Sequence, residues 1–368
     1  MDKMELLYLL ALQSISGIGP VNAKKLLRLN GNAQALFDEK SKVFDDLKGS
    51  KRFFSIDFQD PLILKKAAAE IEFMNASEVQ VVSINDNDYP EKLRHCHDGP
   101  LLLFKKGHFE LKNRKVISIV GSRAMTSYGA GFLKEFICEI KKYNPVIVSG
   151  LAYGIDITAH REALKNNLET IGVLAHGLDR IYPEIHKREA IKMLEQGGLI
   201  TEFWSGSRPE KVNFVKRNRI IAGISEATVV VESGPRGGSL ITADLAQSYV
   251  RDVFALPGRV DDPMSSGCNA LIKSNKAALI TSVKDLEYLL NWKEETSVNQ
   301  EIQQRLFVDL PENEHCVYDY LLKRRRQQLD ILALDCEMSI SKAASVLLQL
   351  ELKGLVKSFP GKEYQLST

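Results

Sequence analysis

Short apolar segments alternate with longer amphipathic segments between residues 79 and 290 of this 368-residue chain. The apolar segments are rich in Val and Ile, and most are apolar throughout rather than at alternate positions. Continuous apolar strands separated by helices are typical of a mostly parallel sheet with helices on both faces. We therefore predict an α/β fold. The predicted strands are 79–84, 116–120, 146–148, 170–175, 199–201, 228–231, 253–256 and 279–281, and helical patterns between them include 131–143, 159–167 and 186–196.

Small residues follow several predicted strands, at the end of the sheet where ligands usually bind. The turns are Gly121-Ser122-Arg123, Ser149-Gly150, His176-Gly177 and Ser233-Gly234. Gly and Ser let the backbone approach a ligand closely and can turn N–H groups toward an anion. A single turn of this kind carries little information, because strand-to-helix connections favour these residues anyway. Four turns at equivalent positions predict an anion-binding crevice.

Arg123 differs from the other residues of these turns because it brings a charge. An arginine at a predicted helix N-terminus would reinforce an anion site that the backbone already makes. An ion pair with Glu202 or Glu232 is its alternative role.

Basic residues are concentrated in one stretch. Residues 205–225 contain five cations and a single anion, Glu210, although the formal net charge of the whole chain is only +2. The cations are Arg208, Lys211, Lys216, Arg217 and Arg219, and Asn213, Phe214 and Asn218 lie among them. Lys and Arg can neutralise phosphates, and an aromatic ring between them offers a base a face for stacking. The stretch therefore predicts a phosphate-bearing partner that is held at one place.

Residues 1–75 are predicted to be helical, with a broad apolar face of Leu residues on the first helix. A glycine-containing turn at 14–19 precedes a second helix, which we expect to begin at Pro20. This pattern resembles a helix-hairpin-helix, in which the turn and the nearby Lys24 and Lys25 could meet a phosphate. A purely structural helical hairpin fits the pattern equally well.

The polar stretch 294–306 is predicted to be a linker. Residues 307–368 contain three helical patterns and then two short apolar runs around Pro360-Gly361, which suggests a winged helix. Duplex DNA binding is the obvious inference, but cations and anions nearly balance in this segment, and a groove-reading helix normally lies in a basic surround. We favour a protein-contact or weak accessory role.

The composition is ordinary for a globular protein, at 44% hydrophobic and 26% charged residues. No apolar run approaches the roughly 18 residues that cross a bilayer, so no membrane segment is expected. The five cysteines are odd in number and never in CxxC spacing, which favours a reducing compartment, by default the cytoplasm. His95-Cys96-His97 has no matching second half for a metal site, so we expect these to be surface residues.

The sequence lacks the usual marks of a cofactor site or a catalytic centre. It has no GxGxxG after the first strand of the fold and no GxxxxGK[ST], GxSxG or HExxH pattern. Four titratable residues could be combined on paper into an acid–base site, namely Asp156, His160, Asp179 and Glu202. The i, i+4 spacing of Asp156 and His160, however, more often stabilises a helix. We expect no cofactor, no metal and no enzymatic activity.

Several motifs occur together in a fixed order. They are Asp88-Tyr89-Pro90-Glu91-Lys92-Leu93, Gly121-Ser122-Arg123, residues 149–156 with Ala159-His160, residues 217–225, Glu232-Ser233-Gly234, Gly237-Gly238-Ser239, Thr242-Ala243 and residues 267–272. This set, spread over roughly residues 80–290, closely resembles the DNA processing protein A family (DprA, also called Smf). Members of that family often carry an N-terminal helical domain of SAM or helix-hairpin-helix type and a C-terminal winged helix.

The resemblance implies an extended Rossmann-like domain at 79–290, flanked by a helical domain at 1–75 and a winged helix at 307–368. It also implies a bacterial, cytoplasmic, non-enzymatic homodimer that binds single-stranded DNA. In the family, this protein protects incoming strands during natural transformation and loads the recombinase RecA on them. The late part of the Rossmann-like domain forms the family's dimer surface, which corresponds to residues 267–279 here.

The resemblance places the strand in a basic pocket at the carboxyl ends of the strands, with Arg123, Lys211, Phe214 and the run 217–219 as the matching residues. Family members often have Phe-Pro where this chain has Phe214-Val215, which leaves the approach to the basic run more flexible. The full predicted contact set is Gly121, Ser122, Arg123, Ser149, Gly150, Lys211, Asn213, Phe214, Lys216, Arg217, Asn218, Arg219, Ser233, Gly234, Gly237, Gly238 and Ser239.

Two other functions stay open. Similar folds act on phosphorylated nucleotides, as phosphoribohydrolases do, with a Gly-Gly-x-Gly-Thr-x-x-Glu loop. The comparable stretch here, residues 235–243, has no glutamate at the expected place. The chain could also be a regulatory scaffold in which the outer segments matter most.

Overall fold

The structure of the chain, a computed structural model, describes residues 2–37, 58, 60–293, 311–324, 326–359 and 362–366. The chain divides into two compact units, Met1–Glu294 and Glu295–Thr368. The segment 294–306, predicted as a linker, lies outside the described residues.

A nine-stranded sheet forms the centre of the first unit. The strands are β1 (Gln80–Ser83), β2 (Leu102–Gly107), β3 (Val116–Val120), β4 (Val146–Ser149), β5 (Thr170–Val173), β6 (Gly197–Thr201), β7 (Ala227–Val230), β8 (Asp252–Ala255) and β9 (Ala278–Leu279). Their order across the sheet is β1-β2-β6-β5-β4-β3-β7-β8-β9. The pairs β1–β2 and β2–β6 are antiparallel, and the other neighbours pair in parallel. The predicted mostly parallel α/β fold is confirmed.

Strand β2 is the one strand of this sheet that the sequence analysis missed. Its first half, Leu102 to Phe104, is buried, whereas Lys105 and Lys106 are half-exposed. The strand therefore mixes a buried run with a polar end, and the antiparallel pairing allows this because one end can reach solvent. The sequence contains the apolar run, but the two lysines that follow it do not fit the pattern of a continuous apolar strand.

Helices cover both faces of the sheet. The helices that follow β1 to β9 in this unit are α4 (Glu91–Arg94), α5 (Ser127–Ile140), α6 (Ile155–Lys165), α7 (Lys187–Glu195), α8 (Lys211–Ile224), α9 (Gly238–Ser248), α10 (Ser266–Lys273) and α11 (Val283–Leu290). One core contains side chains of α4, α8, α9 and α10, and another contains side chains of α5, α6 and α11. The second half of α8, with Ile220 and Ile221, is therefore an inner surface of the fold.

Three helices precede the sheet, α1 (Lys3–Ser14), α2 (Pro20–Asn30) and α3 (Pro61–Ala76). Helix α2 begins at Pro20 as expected, and Gly17 in the preceding turn has φ +89°, a conformation that favours glycine. These helices share one core with Leu102 and Phe104 of β2. The Lys24 ammonium donates to the backbone oxygens of Cys96 and His97 at 3.0 and 3.3 Å. In the structure, Lys24 therefore fastens α2 to the α/β region.

The second unit contains α12 (Glu312–Arg324), β10 (Arg326–Gln328), α13 (Leu329–Asp335), α14 (Ile340–Leu352), β11 (Val356–Phe359) and β12 (Glu363–Leu366). Its strands form an antiparallel sheet of order β10-β12-β11, and its core includes Val317, Leu332 and Leu347. Three helices and a small sheet make up the predicted winged helix. Strand β10 is an addition to the predicted two-stranded wing, whose turn at Pro360-Gly361 lies outside the described residues.

The cysteine expectation needs one correction. Cys96 is buried at 3% exposure, whereas His95 and His97 flank it on the surface, so the expectation of three surface residues is wrong for the middle one. Burial raises the pKa of the Cys96 thiol. In the described parts of the chain, no group of three or more His, Cys, Asp or Glu side chains could hold a metal, and no helix has the length and apolar character needed to span a membrane.

Candidate functional site

An open cleft of about 520 Å³ lies at the carboxyl ends of β3 and β7. Strand β3 has β4 on one side and β7 on the other, so the order of the strands along the chain reverses at this point. Ligands of open α/β sheets bind at such a position because the connections leave the two neighbouring strands in opposite directions.

The cleft brings together most of the predicted contact residues. Those that line it are Gly121, Ser122, Arg123, Lys211, Phe214, Arg217, Asn218, Ser233, Gly234, Gly237, Gly238 and Ser239. Ser149, Gly150, Asn213, Lys216 and Arg219 do not line it. The hydroxyl of Ser149 donates to the oxygen of Ile119 at 2.6 Å beneath the cleft, and the amide of Asn213 donates to the oxygen of Arg208 at 3.0 Å.

The basic stretch folds as α8, and its helical period separates the cations. Lys211, Phe214 and Asn218 recur at three- and four-residue intervals and line the cleft, whereas Lys216 and Arg219 lie on another face. Lys216 is exposed near Glu202, and Lys211 is exposed at the start of the helix. The cations that are close together in the sequence therefore lie on different faces of the helix and do not form a single positive patch.

Arg217 forms part of the cleft floor. Its side chain is 3% exposed, and Nη1 donates to the oxygen of Val173 at 2.6 Å. Burial lowers the pKa of the Arg217 guanidinium to about 10, and the nearby Asp156 opposes this shift, so the group stays charged at neutral pH. A Cβ atom on Gly150 would lie 1.9 Å from Nη1, so only glycine leaves room for this arginine.

Asp156 and Arg217 form a buried pair of opposite charges. An oxygen of Asp156 accepts from the backbone N–H of Gly150 at 3.1 Å. Burial raises the pKa of the Asp156 carboxyl, while Arg217 and backbone N–H groups act against that rise. This environment positions Arg217 under the cleft. Its charge makes the electrostatic potential of the cleft more positive, although its side chain is already bonded within the fold.

Arg219 holds the fold together on the other face of α8. Its guanidinium donates to a carboxylate oxygen of Glu202 and to the backbone oxygen of Asp98, and its side chain and that of Glu202 are each 10% exposed. Burial raises the pKa of the Glu202 carboxyl and Arg219 opposes that rise. The pair joins α8 to the end of β6 rather than facing the cleft.

Arg123 projects from its turn with an exposed side chain. Its guanidinium carbon lies 5.4 Å from the centre of the Phe214 ring, and that of Arg217 lies 5.8 Å from the same ring. Among the described residues, Arg123 forms no ion pair with Glu202 or Glu232, which was its alternative role. Glu202 pairs with Arg219, and Glu232 accepts from the N–H groups of Thr126 and Gly129 at 2.9 and 3.2 Å.

The backbone contributes less to the anion site than the sequence predicted. The N–H of Ser122 donates to the oxygen of Glu232 at 2.7 Å, and the N–H of Ser233 donates to the oxygen of Met264 at 2.8 Å. Both groups are used inside the fold, so the expectation that they face an anion is wrong. Instead, α9 begins at the cleft, where Gly238 and Ser239 belong to the helical turn whose N–H groups have no partner within the helix.

The four residues of the hypothetical acid–base site are dispersed. Asp156 lies beside Arg217, Asp179 bonds to Arg180 at 2.7 Å, and Glu202 pairs with Arg219. The Nδ1 atom of His160 lies 2.6 Å from the hydroxyl of Thr170, and burial lowers the pKa of this histidine to about 3. The contacts of Asp156, His160 and Glu202 are those of a packed interior, and Asp179 lies in an exposed ion pair.

Sequence reasoning missed one prominent residue of the cleft. Tyr182 lines the cleft and its ring centre lies 6.0 Å from that of Phe214. The residue follows β5 by nine positions, so the general expectation of ligands beyond strand ends could have included it. Tyr182 is not part of a Gly-Ser turn or of the basic stretch, so no local sequence pattern indicated that it binds a ligand.

Comparisons with known proteins identify the family. Residues 80–291 match the family of the DNA recombination-mediator protein A, and residues 309–362 match the DprA winged helix domain. The chain is 34% identical over 323 residues to Protein Smf of Escherichia coli strain K12, covering 86% of this chain and 83% of that protein.

Two solved structures have similar folds. The X-ray structure of DNA processing protein A from Streptococcus pneumoniae superimposes with a TM-score of 0.64 at 32% identity, over 79% of this chain and 99% of that chain. DNA processing protein A from Helicobacter pylori, described for its single-stranded DNA binding mode, superimposes with a TM-score of 0.53 at 28% identity, over 58% and 96% of the two chains. The chain thus belongs to the DprA/Smf family of DNA recombination mediators.

Proposed function

We propose that this chain is a recombination mediator that binds single-stranded DNA in the cleft between the ends of β3 and β7. One observation carries the proposal: Phe214 presents a ring in an open cleft, with the exposed guanidinium of Arg123 beside it and Lys211 one helical turn away. Aromatic faces next to cations are the elements that hold single strands without sequence preference. The binding mode described for the Helicobacter pylori relative supports the same class of ligand.

The parts of the cleft have separate tasks in this mechanism. Phosphates meet Arg123, Lys211 and the N-terminus of α9, because each offers positive charge or N–H groups at the surface. A base stacks on Phe214. Arg217 acts from below, since its guanidinium is already bonded to Val173 and neighbours Asp156. Such contacts read phosphates and base faces, so little sequence specificity is expected.

Fluorescence anisotropy with a labelled oligothymidylate tests the proposal. We expect binding that weakens as salt rises, and a further loss of several-fold or more with Arg123→Ala, Lys211→Ala or Phe214→Ala. Lys216→Ala is the matched control, because it removes an exposed lysine from the same helix outside the cleft. Binding that is insensitive to salt, or an equal loss in the control, would overturn the proposal.

The wider role follows from the family. We propose that the chain protects incoming strands during natural transformation and passes them to RecA in the cytoplasm. A strand-exchange assay with RecA and a single-strand-binding protein would measure this: the chain should shorten the lag in filament formation, and Phe214→Ala should restore the lag.

We also propose that the chain forms a homodimer through residues 267–279. Edge strand β9 and the half-exposed Leu279 lie at this border of the sheet. Light scattering coupled to size-exclusion chromatography should give twice the chain mass at micromolar concentration. A strict monomer would contradict the proposal.

We propose no catalytic activity for the cleft. The glycine turn at 234–239 lacks the glutamate of nucleotide hydrolases, and Glu232 nearby is held by Thr126 and Gly129. Incubation with nucleoside monophosphates should therefore release no free base. Release of base that is lost with Glu232→Gln would favour the phosphoribohydrolase function instead.

A further inference from the structure

Tyr182 is a large aromatic side chain that the fold covers only in part. It is 45% exposed, and within the described residues its hydroxyl has no hydrogen-bond partner. Its ring contacts that of Phe214, at 6.0 Å between centres and with the ring planes inclined by 59°. Aromatic side chains that line an open cleft are among the groups that ligand sites use most.

The backbone around Tyr182 is fixed by buried neighbours, although the ring itself is partly exposed. Pro183 next to it is buried. The buried His186, three residues further, has its Nδ1 atom 2.8 Å from the oxygen of Leu151. The buried side chain of His176 lies near the backbone of Tyr182 and bonds to the oxygen of Gly177 at 2.9 Å. The loop therefore presents the ring at a fixed place beside α8.

The geometry of the two rings restricts how they can hold a base. Two rings that enclose one base between them must be nearly parallel and about 7 Å apart, twice the usual stacking distance. Rings inclined by 59° with centres 6.0 Å apart cannot enclose a base in this way. Each ring instead offers a separate face, and a single strand has a new base at each phosphate step.

We propose that Tyr182 is a second base-stacking residue, so that the cleft holds two neighbouring bases, one on Phe214 and one on Tyr182. Arg123 lies beside the Phe214 ring and neutralises a phosphate of the same dinucleotide. This inference rests on the proposed function, since it assigns a residue and a ligand size to the same cleft. The ligand unit is a dinucleotide step of single-stranded nucleic acid.

The test compares two labelled oligomers of equal length and charge, one of thymidylate and one made only of abasic residues. Tyr182→Ala should weaken binding of the thymidylate oligomer by about 5- to 150-fold, the range that corresponds to loss of one stacked base. It should leave binding of the abasic oligomer within about twofold of wild type, because the phosphate contacts are intact. Tyr182→Phe should bind thymidylate as wild type does, since the ring and not the hydroxyl is used.

Tyr153→Ala is the matched control. Tyr153 is 47% exposed, does not line the cleft and packs against His186 at 5.0 Å between ring centres. It should change binding of neither oligomer, and thermal unfolding of all variants should show that each is folded.

Three results would overturn the inference: unchanged thymidylate binding by Tyr182→Ala, an equal loss for both oligomers, or a loss in Tyr182→Phe as large as in Tyr182→Ala. The proposed function fails separately, if wild type does not bind thymidylate in a salt-dependent manner. If wild type and Phe214→Ala bind thymidylate as proposed but Tyr182→Ala binds it as wild type does, the role of Tyr182 is refuted and the proposed function stands.

Discussion

The two halves of α8 use the same kind of residue in opposite ways. In the first turn, Lys211 is exposed and Phe214 faces the cleft, with Arg123 of the neighbouring turn beside it. From the middle of the helix onward, Arg217 and Arg219 are buried and bonded to protein oxygens. The burial of a cation on this helix therefore decides whether it is available to a ligand or bonded within the fold. Its position in the sequence does not.

The largest effect should come from the buried half. Arg219→Ala leaves the Glu202 carboxylate buried without its partner, which we expect to lower the free energy of unfolding by about 3–5 kcal/mol. Urea denaturation followed by circular dichroism measures this, with Lys216→Ala changing stability by less than about 0.5 kcal/mol.

The double variant Arg219→Met with Glu202→Leu sharpens the same comparison. It replaces both charges by apolar groups and should recover most of the lost stability. If Arg219→Ala were as stable as Lys216→Ala, the division of α8 into a ligand half and a fold half would be wrong.

A smaller loss is expected when the space around Arg217 is filled. In Gly150→Ala the new methyl group meets Nη1, which cannot move away easily because it is bonded to the oxygen of Val173 and the guanidinium is buried. We expect destabilisation of about 1–3 kcal/mol. Gly131→Ala is the control, since nothing lies within 4 Å of its Cβ position, and alanine in a helix should add about 0.5–1 kcal/mol. Thermal melts of the two variants should therefore shift in opposite directions.

The interior behind Arg217 should also respond to pH. Burial, with repulsion from His186 and Arg217, lowers the pKa of His160 from 6.5 to about 3, so this histidine is neutral in the folded state at pH 5. The unfolded chain takes up the proton as pH falls below 6.5. Its contribution to stability is therefore present above that pH and falls by up to about 1.4 kcal/mol per unit below it.

Urea unfolding at pH 5, 6 and 7 isolates this contribution when wild type is compared with His160→Gln. Carboxyl groups with raised pKa values, such as Asp156 and Glu202, affect both proteins alike. The difference between them should narrow or reverse as pH falls. If the difference in free energy of unfolding between wild type and His160→Gln stayed constant with pH, His160 would bind protons equally in the folded and unfolded states, and the prediction would be wrong.

The smallest effect on stability should come from the first turn. Arg123→Ala with Lys211→Ala should change the free energy of unfolding by less than about 0.5 kcal/mol, because neither side chain is buried. The same variant should reduce the slope of log affinity against log salt for single-stranded DNA by about 1.4, or 0.7 for each lost phosphate contact. A slope equal to that of wild type would place the phosphates elsewhere.

The sheet could be predicted from the sequence because its strands are apolar throughout, and such runs have few other structures open to them. Strand β2 escaped since only half of it is buried. The cleft could be predicted in outline from the glycine turns. What could not be predicted was the direction of each group: the N–H of Ser122 and the side chain of Arg219 face inward, and that depends on tertiary partners, Glu232 and Glu202, far away in the chain.

Tyr182 illustrates a second limit. Its importance depends on its distance from Phe214, which lies 32 positions later on another element. No local pattern records such a meeting. Burial and distance had to come from the structure, whereas residue chemistry alone had already identified Phe214.

The core that α1 to α3 share with β2 has a consequence for how this molecule can be taken apart. The winged helix has its own core and can be removed at 295 as a module. Helices α1 to α3 cannot, since their loss would uncover Leu102 and Phe104 of β2, the strand next to the edge of the sheet. We therefore expect the two ends of the chain to respond differently to truncation: removal of the C-terminal unit should leave a folded protein, whereas removal of the N-terminal helices should leave a fragment that aggregates.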